Sequence, residues 1–238
     1  MRRDLAILLL ATAVSCPLGL AIGHPWLLPA LNALPAYLVL VHRLRKGERG
    51  GAVRAMLWWA AAVAIVGTIA MALWPSPVDG VVWNGPAYET GMLAWVRTGQ
   101  GAEGNIRLFL PGQLVQLAAF VLLSLLTAGA LSVLMGAVIL NFLSFYAASL
   151  VRAGVPEWAV VPFGWPPWVV ARIAALCILG VVLAEPLLFR VFPSARQNLK
   201  VVGRMPYYVA AISSVLADWF LRAAFAPLWA KWLRGLLP

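Results

Sequence analysis

Residues 108–151 read LFLPGQLVQLAAFVLLSLLTAGALSVLMGAVILNFLSFYAASLV, 44 consecutive positions between Arg107 and Arg152 without one Asp, Glu, Lys, Arg or His. At about 1.5 Å rise per residue a helix of this length extends roughly 66 Å, about twice the ~30 Å hydrocarbon core of a bilayer. The run belongs inside a membrane, and its length predicts two crossings. Charge parity supports the same reading. A single crossing would put the basic stretches at 42–54 and 190–204 on opposite faces, against the bias of Lys and Arg toward one side. The break is expected near Thr127-Ala128-Gly129-Ala130. The small residues Gly129, Ser132, Gly136 and Ala137 would let the helices beside it approach closely. The competing reading is one long tilted helix, since neither a Pro nor a charge marks the turn.

Composition places the rest of the chain in the same class. Of 238 residues, 63% are hydrophobic and 11% charged, too little polar surface to coat a soluble globule. The formal net charge of +10 raises the question of nucleic acid, but the cations gather at the ends of apolar runs. Arg43, Arg45, Lys46, Arg49 and Arg54 flank one junction, and Arg190, Arg196, Lys200 and Arg204 another. That is a positive-inside pattern with an added pull toward anionic lipid headgroups, and no nucleic-acid partner is expected. The expected fold is all-α, a polytopic helical membrane protein of six or seven segments. It forms a single membrane domain over residues 1–238, in the inner cell membrane with a cytoplasmic N-terminus.

Met1-Arg2-Arg3 ahead of an apolar stretch has the form of a secretory signal, and Ala13-Val14-Ser15-Cys16 loosely resembles a lipoprotein cleavage box with Ala13 in place of the usual Leu. Residues 5–22 are read as a retained first helix. Gly23-His24-Pro25 breaks the pattern before a second helix at 26–41, the two forming a hairpin. A third span, 55–74, carries Trp58 and Trp59 at one end and Trp74 at the other, as an interfacial aromatic belt would, and Pro75-Ser76-Pro77 ends it. Residues 75–110 are expected as a non-cytoplasmic loop holding a short interfacial helix around Met92, Leu93, Trp95 and Val96. Another span is expected at 168–189. The last, 207–229, contains Asp218 and Arg222 one turn apart, in the favourable order for an ion pair. Either this pair faces the bundle interior, or the helix lies in the interface with its charges toward water; Lys231 and Arg234 favour the second, with an inside tail.

Motifs for chemistry are sparse. Gly99-Gln100-Gly101-Ala102-Glu103-Gly104 matches G-x-G-x-x-G by letter, but lacks the preceding strand and βαβ setting that dinucleotide binding needs, and reads as a flexible loop. Glu185-Pro186-Leu187-Leu188-Phe189-Arg190 resembles the Glu-Glu-x-x-x-Arg signature of CAAX-type intramembrane proteases at Glu185 and Arg190. Pro186 replaces the second acid. The family's later histidines have no counterpart, because His24 and His42 lie upstream, and membership is not assigned. Stage II sporulation M-like proteins share small-residue-rich spans without a shared motif. Cys16 and Cys177 fall in apolar segments and read as buried small side chains. No residue is assigned as catalytic, cofactor-binding or metal-binding, and any cofactor is unknown. What remains is a candidate intramembrane polar cluster of Asn141, Arg172, Glu185, Asp218 and Arg222, with Arg172 expected to snorkel to the headgroups and Asn141 to join helices.

The expected function is a non-catalytic subunit or scaffold of a membrane complex, its partners the bilayer, anionic lipids and other membrane proteins or itself. A small permease or channel is the first alternative, decided by whether the polar cluster converges on a cavity. An intramembrane enzyme is the second.

Overall fold

The computed structural model describes residues 2–74, 78–194 and 203–237, and these are all-helical, without a strand. Seven helices are long and apolar enough to cross a membrane: α1 Arg2–Ile22, α2 Leu27–Arg45, α3 Arg49–Leu73, and, after the shorter α4 Val78–Val81 and α5 Gly85–Thr98, α6 Ile106–Leu126 and α7 Ala130–Arg152. Beyond a short α8, Glu157–Gly164, come α9 Pro167–Val191 and α10 Met205–Arg234. The chain is a multi-pass helical membrane protein.

The 44-residue run is broken where its small residues stand. Ala128 and Gly129 both take positive φ, 49° and 86°, closing a tight reversal. The Thr127 hydroxyl accepts the Leu131 amide at 3.0 Å and so caps α7. Gly129 is required twice over. Its φ favours glycine, and a Cβ there would stand 3.0 Å from the Cβ of Ala184 on α9.

Contacts at the helix ends fix the path. Arg43 Nη2 lies 2.8 Å from Asp4, which sets the end of α2 beside the start of α1. Glu185, near the end of α9, bonds Arg49 at the start of α3 and Arg204 just before α10. These define one end of the bundle, the near end, which also holds the N-terminus and the 127–129 turn. At the far end Trp26 meets Trp83 edge-on with ring centroids 4.3 Å apart, Arg152 at the end of α7 approaches Glu89 of α5, and Arg234 bonds the Val96 carbonyl. Both basic junctions therefore sit at one end, as parity requires; Arg196 and Lys200 lie outside the described residues.

The centre is built by α7 and α9, the helices most buried by the rest of the chain. α9 packs most extensively on α10, and α7 on α3. One core joins α2, α3, α7 and α9 through Leu40, Met56, Val63, Leu140 and Val181. A second, at the far end, gathers Trp95, Tyr146, Phe163, Trp168 and Leu233.

Four expectations are corrected. The basic stretch at 42–54 is not a loop: α2 and α3 continue into it, leaving only residues 46–48 as a turn at Gly47, and Arg43 and Arg49 are buried instead of facing headgroups. Trp59 is likewise interior, its indole N–H donating to the Asn32 carbonyl at 3.0 Å, while Trp58 is exposed as a belt residue should be. α10 runs the full length of the bundle, so its C-terminal end lies at the far end, opposite the N-terminus, and it does not lie flat. Arg172 does not snorkel, for reasons given below. The 75–110 segment forms its short helix, α5, which turns Met92, Trp95 and Val96 into the far-end core; Pro75-Ser76-Pro77 lies outside the described residues.

Gly129→Val should destabilise the protein by about 1–3 kcal/mol, through overpacking and an unfavourable φ. Gly112, a helical position with no atom within 4 Å of a built Cβ, provides the contrast. Gly112→Ala should hold or raise the unfolding temperature in detergent, where Gly129→Val lowers it.

Candidate functional site

α10 is a long apolar helix with an acid and a base at its middle, and the bundle must neutralise both. α9 runs antiparallel beside it. Arg172 presents a fork to Asp218, Nε to Oδ2 at 3.0 Å and Nη2 to Oδ1 at 3.1 Å. Gln113 of α6 adds its side-chain amide to Asp218 Oδ2 at 3.3 Å. One turn later Arg222 grips Glu103, from the loop before α6, through both guanidinium edges, Nε to Oε2 at 2.6 Å. The same guanidinium sits 4.2 Å over the Phe109 ring. Asp218 and Arg222 are thus interior and unpaired with each other, which overturns the interfacial reading. The i,i+4 spacing puts both on one face, but a bidentate partner elsewhere in the fold, Arg172 on α9 for Asp218 and Glu103 in the loop for Arg222, gives each two charge-assisted bonds.

Tyr88 of α5 stands within the field of these four charges, with its ring 4.9 Å from Phe142 and 5.8 Å from Tyr146. Burial first, then the Glu103 carboxylate, push its phenol well above the ordinary tyrosine value, against the opposing pull of Arg172 and Arg222. It stays a neutral hydroxyl at any physiological pH.

Glu185 belongs elsewhere. Its carboxylate is fully buried at the near end, between Arg49 (Nη2 to Oε2, 2.9 Å) and Arg204 (Nε to Oε2, 2.9 Å). The Arg49 guanidinium also lies 5.6 Å over the Tyr207 ring. Beside this centre Arg43 joins Asp4 and Glu48. The expectation that Glu185 belongs to one polar cluster with Arg172, Asp218 and Arg222 is therefore corrected, while Arg190 is exposed.

Asn141 belongs to a third place, a polar seam through α1, α2 and α7. Its Oδ1 accepts from Asn32 Nδ2 at 2.9 Å, and the Asn32 Oδ1 accepts from the Ser15 hydroxyl at 3.0 Å. It joins helices, as expected. Cys16 and Cys177 are buried and free.

The five sequence candidates therefore divide three ways. Arg172, Asp218 and Arg222 converge, with Glu103, Gln113 and Tyr88 added to them; Glu185 and Asn141 stand apart. Between the Asp218 and Glu185 centres, about 13 residues or roughly 20 Å of α9, no charged side chain intervenes. The partners missed from sequence are Arg49, Arg204, Glu103, Gln113, Asn32 and Ser15. Arg49 and Glu103 carried a signal, since charges so close to a span are candidates for pairing with charges inside it. Among the described residues no group of three or more His, Cys, Asp or Glu could hold a metal ion. No family model, curated protein or solved structure matches the chain.

Asp218→Asn should cost about 3–5 kcal/mol, because it strands Arg172 in a low-dielectric interior. The partner identity makes the test specific. Unfolding followed in detergent should show Asp218→Asn largely rescued by Arg172→Gln and made no better by Arg222→Gln.

Proposed function

We propose that this protein is a non-catalytic subunit or scaffold of a membrane complex in the inner cell membrane, with the near end cytoplasmic and bordered by anionic lipids, and with other membrane proteins or further copies of itself as partners. The observation that carries the reading is how the internal charges are used. Each buried ionic side chain, Arg43, Arg49, Glu185, Asp218 and Arg222, is held by an opposite charge within the chain. Their centres are separated by an apolar layer, so they tie helices together and line no continuous path. A catalytic carboxylate needs a proton it can exchange with a substrate. The acids here are instead fixed by guanidinium groups that stay charged at all accessible pH.

The lipid-facing surface supplies a place for a partner. Along α3 the small residues Ala60, Ala61, Ala64 and Thr68 form, with Val170, Ile173 and Ala174 of α9, an apolar groove of about 380 Å³. Small residues let a second helix approach to backbone contact, where van der Waals packing favours helix association in lipid.

A small permease is the second reading, favoured by one observation. A cleft of about 490 Å³ opens at the far end beside Glu103, and Arg222, Asp218 and Arg172 continue inward from it. The polar path stops at the apolar layer of α9.

Single cysteines test the sidedness: in intact cells an impermeant maleimide should label Gln100→Cys and spare Ser194→Cys, and the reverse pattern would invert the topology. For the scaffold, a photo-crosslinking residue at Ile65 should yield one discrete protein adduct in native membranes, whereas the same group at Leu10 should not. Adducts to lipid alone at Ile65, together with solute flux in reconstituted vesicles, would put the permease first.

A further inference from the structure

The far-end cleft has a chemistry of its own, separate from the buried pairs. Its walls are the glycine-rich loop that follows α5 and the last turns of α10, and it is lined by Gly99, Gly101, Asn105, Lys231 and Arg234 along with Glu103. Glu103 is committed to Arg222, so the lining carries an excess of two cations. Lys231 is exposed and has no anionic partner among the described residues. Arg234 is anchored by one edge only, Nε to the Val96 carbonyl at 2.7 Å, and its Nη2 stands over Gly99. The rest of that guanidinium fork is left to face a ligand.

The loop completes the arrangement. Gly99, Gly101 and Gly104 all have positive φ, and at Gly101 a Cβ would press within 3.0 Å of Trp95. The amides of Gly101, Ala102, Glu103 and Gly104 donate to no protein acceptor among the described residues. Gly101, Glu103 and Gly104 line the cleft, and a wall whose amides are unclaimed by protein, facing two cations, is complementary to a compact oxyanion with several acceptor oxygens.

Depth sets the cleft relative to the membrane spans. Arg172 faces Asp218 and Glu185 faces Arg204, so α9 and α10 run in antiparallel register, and Pro167 at the start of α9 stands level with the turn at Arg222. Lys231 lies nine residues further, roughly 14 Å beyond the start of α9. Trp26, Trp74, Trp83, Trp158 and Trp232, each more than half exposed, sit at this same end, where a headgroup layer holds amphipathic rings. We propose that the cleft between residues 99–105 and the end of α10 binds a phosphate-type anion, with Lys231 and Arg234 supplying the charge and the glycine-loop amides the hydrogen bonds. A phospholipid headgroup and a free phosphate share that chemistry.

The experiment uses the full chain in neutral detergent and native mass spectrometry with two probes added separately, dioctanoyl phosphatidylglycerol and inorganic phosphate. The wild type should bind one phosphatidylglycerol, and Lys231→Ala should weaken it about tenfold or more, as loss of one charge-assisted contact requires, without lowering the unfolding temperature. Lys231→Ala with Arg234→Gln should abolish the adduct. Arg3→Gln, a cation removed at the opposite end, should leave it unchanged. Binding of inorganic phosphate with the same dependence on Lys231 would keep the site and make its ligand a soluble anion. Equal binding by wild type and Lys231→Ala, equal loss in Arg3→Gln, or no adduct with either probe would overturn the proposal.

Discussion

A charge removed from water must find an opposite charge, and the antiparallel pair α9 and α10 satisfies that constraint twice. Arg204 closes on Glu185 at one end of the contact and Asp218 closes on Arg172 about 13 residues away. Apolar packing alone would tolerate a slide of one helix along the other, since one buried leucine or valine substitutes for the next at modest cost. Two ion pairs at fixed separation do not tolerate it. A slide of one turn would part Arg204 from Glu185 and would leave Asp218 and Arg172 unmatched, each of that buried pair at a cost of several kcal/mol in low dielectric. The third helix at each centre extends the constraint outward. Arg49 brings the start of α3 to Glu185, and Gln113 and Glu103 bring α6 and its loop to α10.

The two ends of the bundle are built on different principles. At the near end the cations stand on the helices themselves, and Arg43 and Arg49 are drawn inward onto Asp4, Glu48 and Glu185. At the far end the helices are covered by α5, α8 and the overhang of α10, whose aromatic rings pack as a layer: Trp229 contacts Phe163, Trp168 and Trp232. Exposed tryptophans concentrate there, while the near end shows Trp58. The asymmetry follows from the solvent each end meets. Long charged side chains can reach water from a helix end, whereas indole rings are most stable at the boundary between hydrocarbon and headgroup.

Much of the fold was legible because it depends on properties that accumulate along the chain. The absence of charge over 108–151 requires burial in hydrocarbon, and Gly129 marks the break since only a residue without a Cβ fits against Ala184 in a left-handed turn. Parity of the basic junctions then separates two crossings from one. The candidate site was legible only as a set of residue types. Arg172, Asp218 and Arg222 stood out as charges out of place, and they do converge; Glu185 and Asn141 stood out equally and belong to other centres.

Sequence by itself determined the class of this protein, the number of its long spans to within one and the residues whose burial needs an explanation. All three follow from transfer free energies that add residue by residue. Tertiary structure alone decided which charge answers which. Asp218 has Arg222 four residues away in sequence and Arg172 forty-six away, and it bonds the distant one. The reason is geometric: a fork presented from a facing helix makes two straight bonds to a carboxylate, while a neighbour on the same helix must bend along its surface to make one.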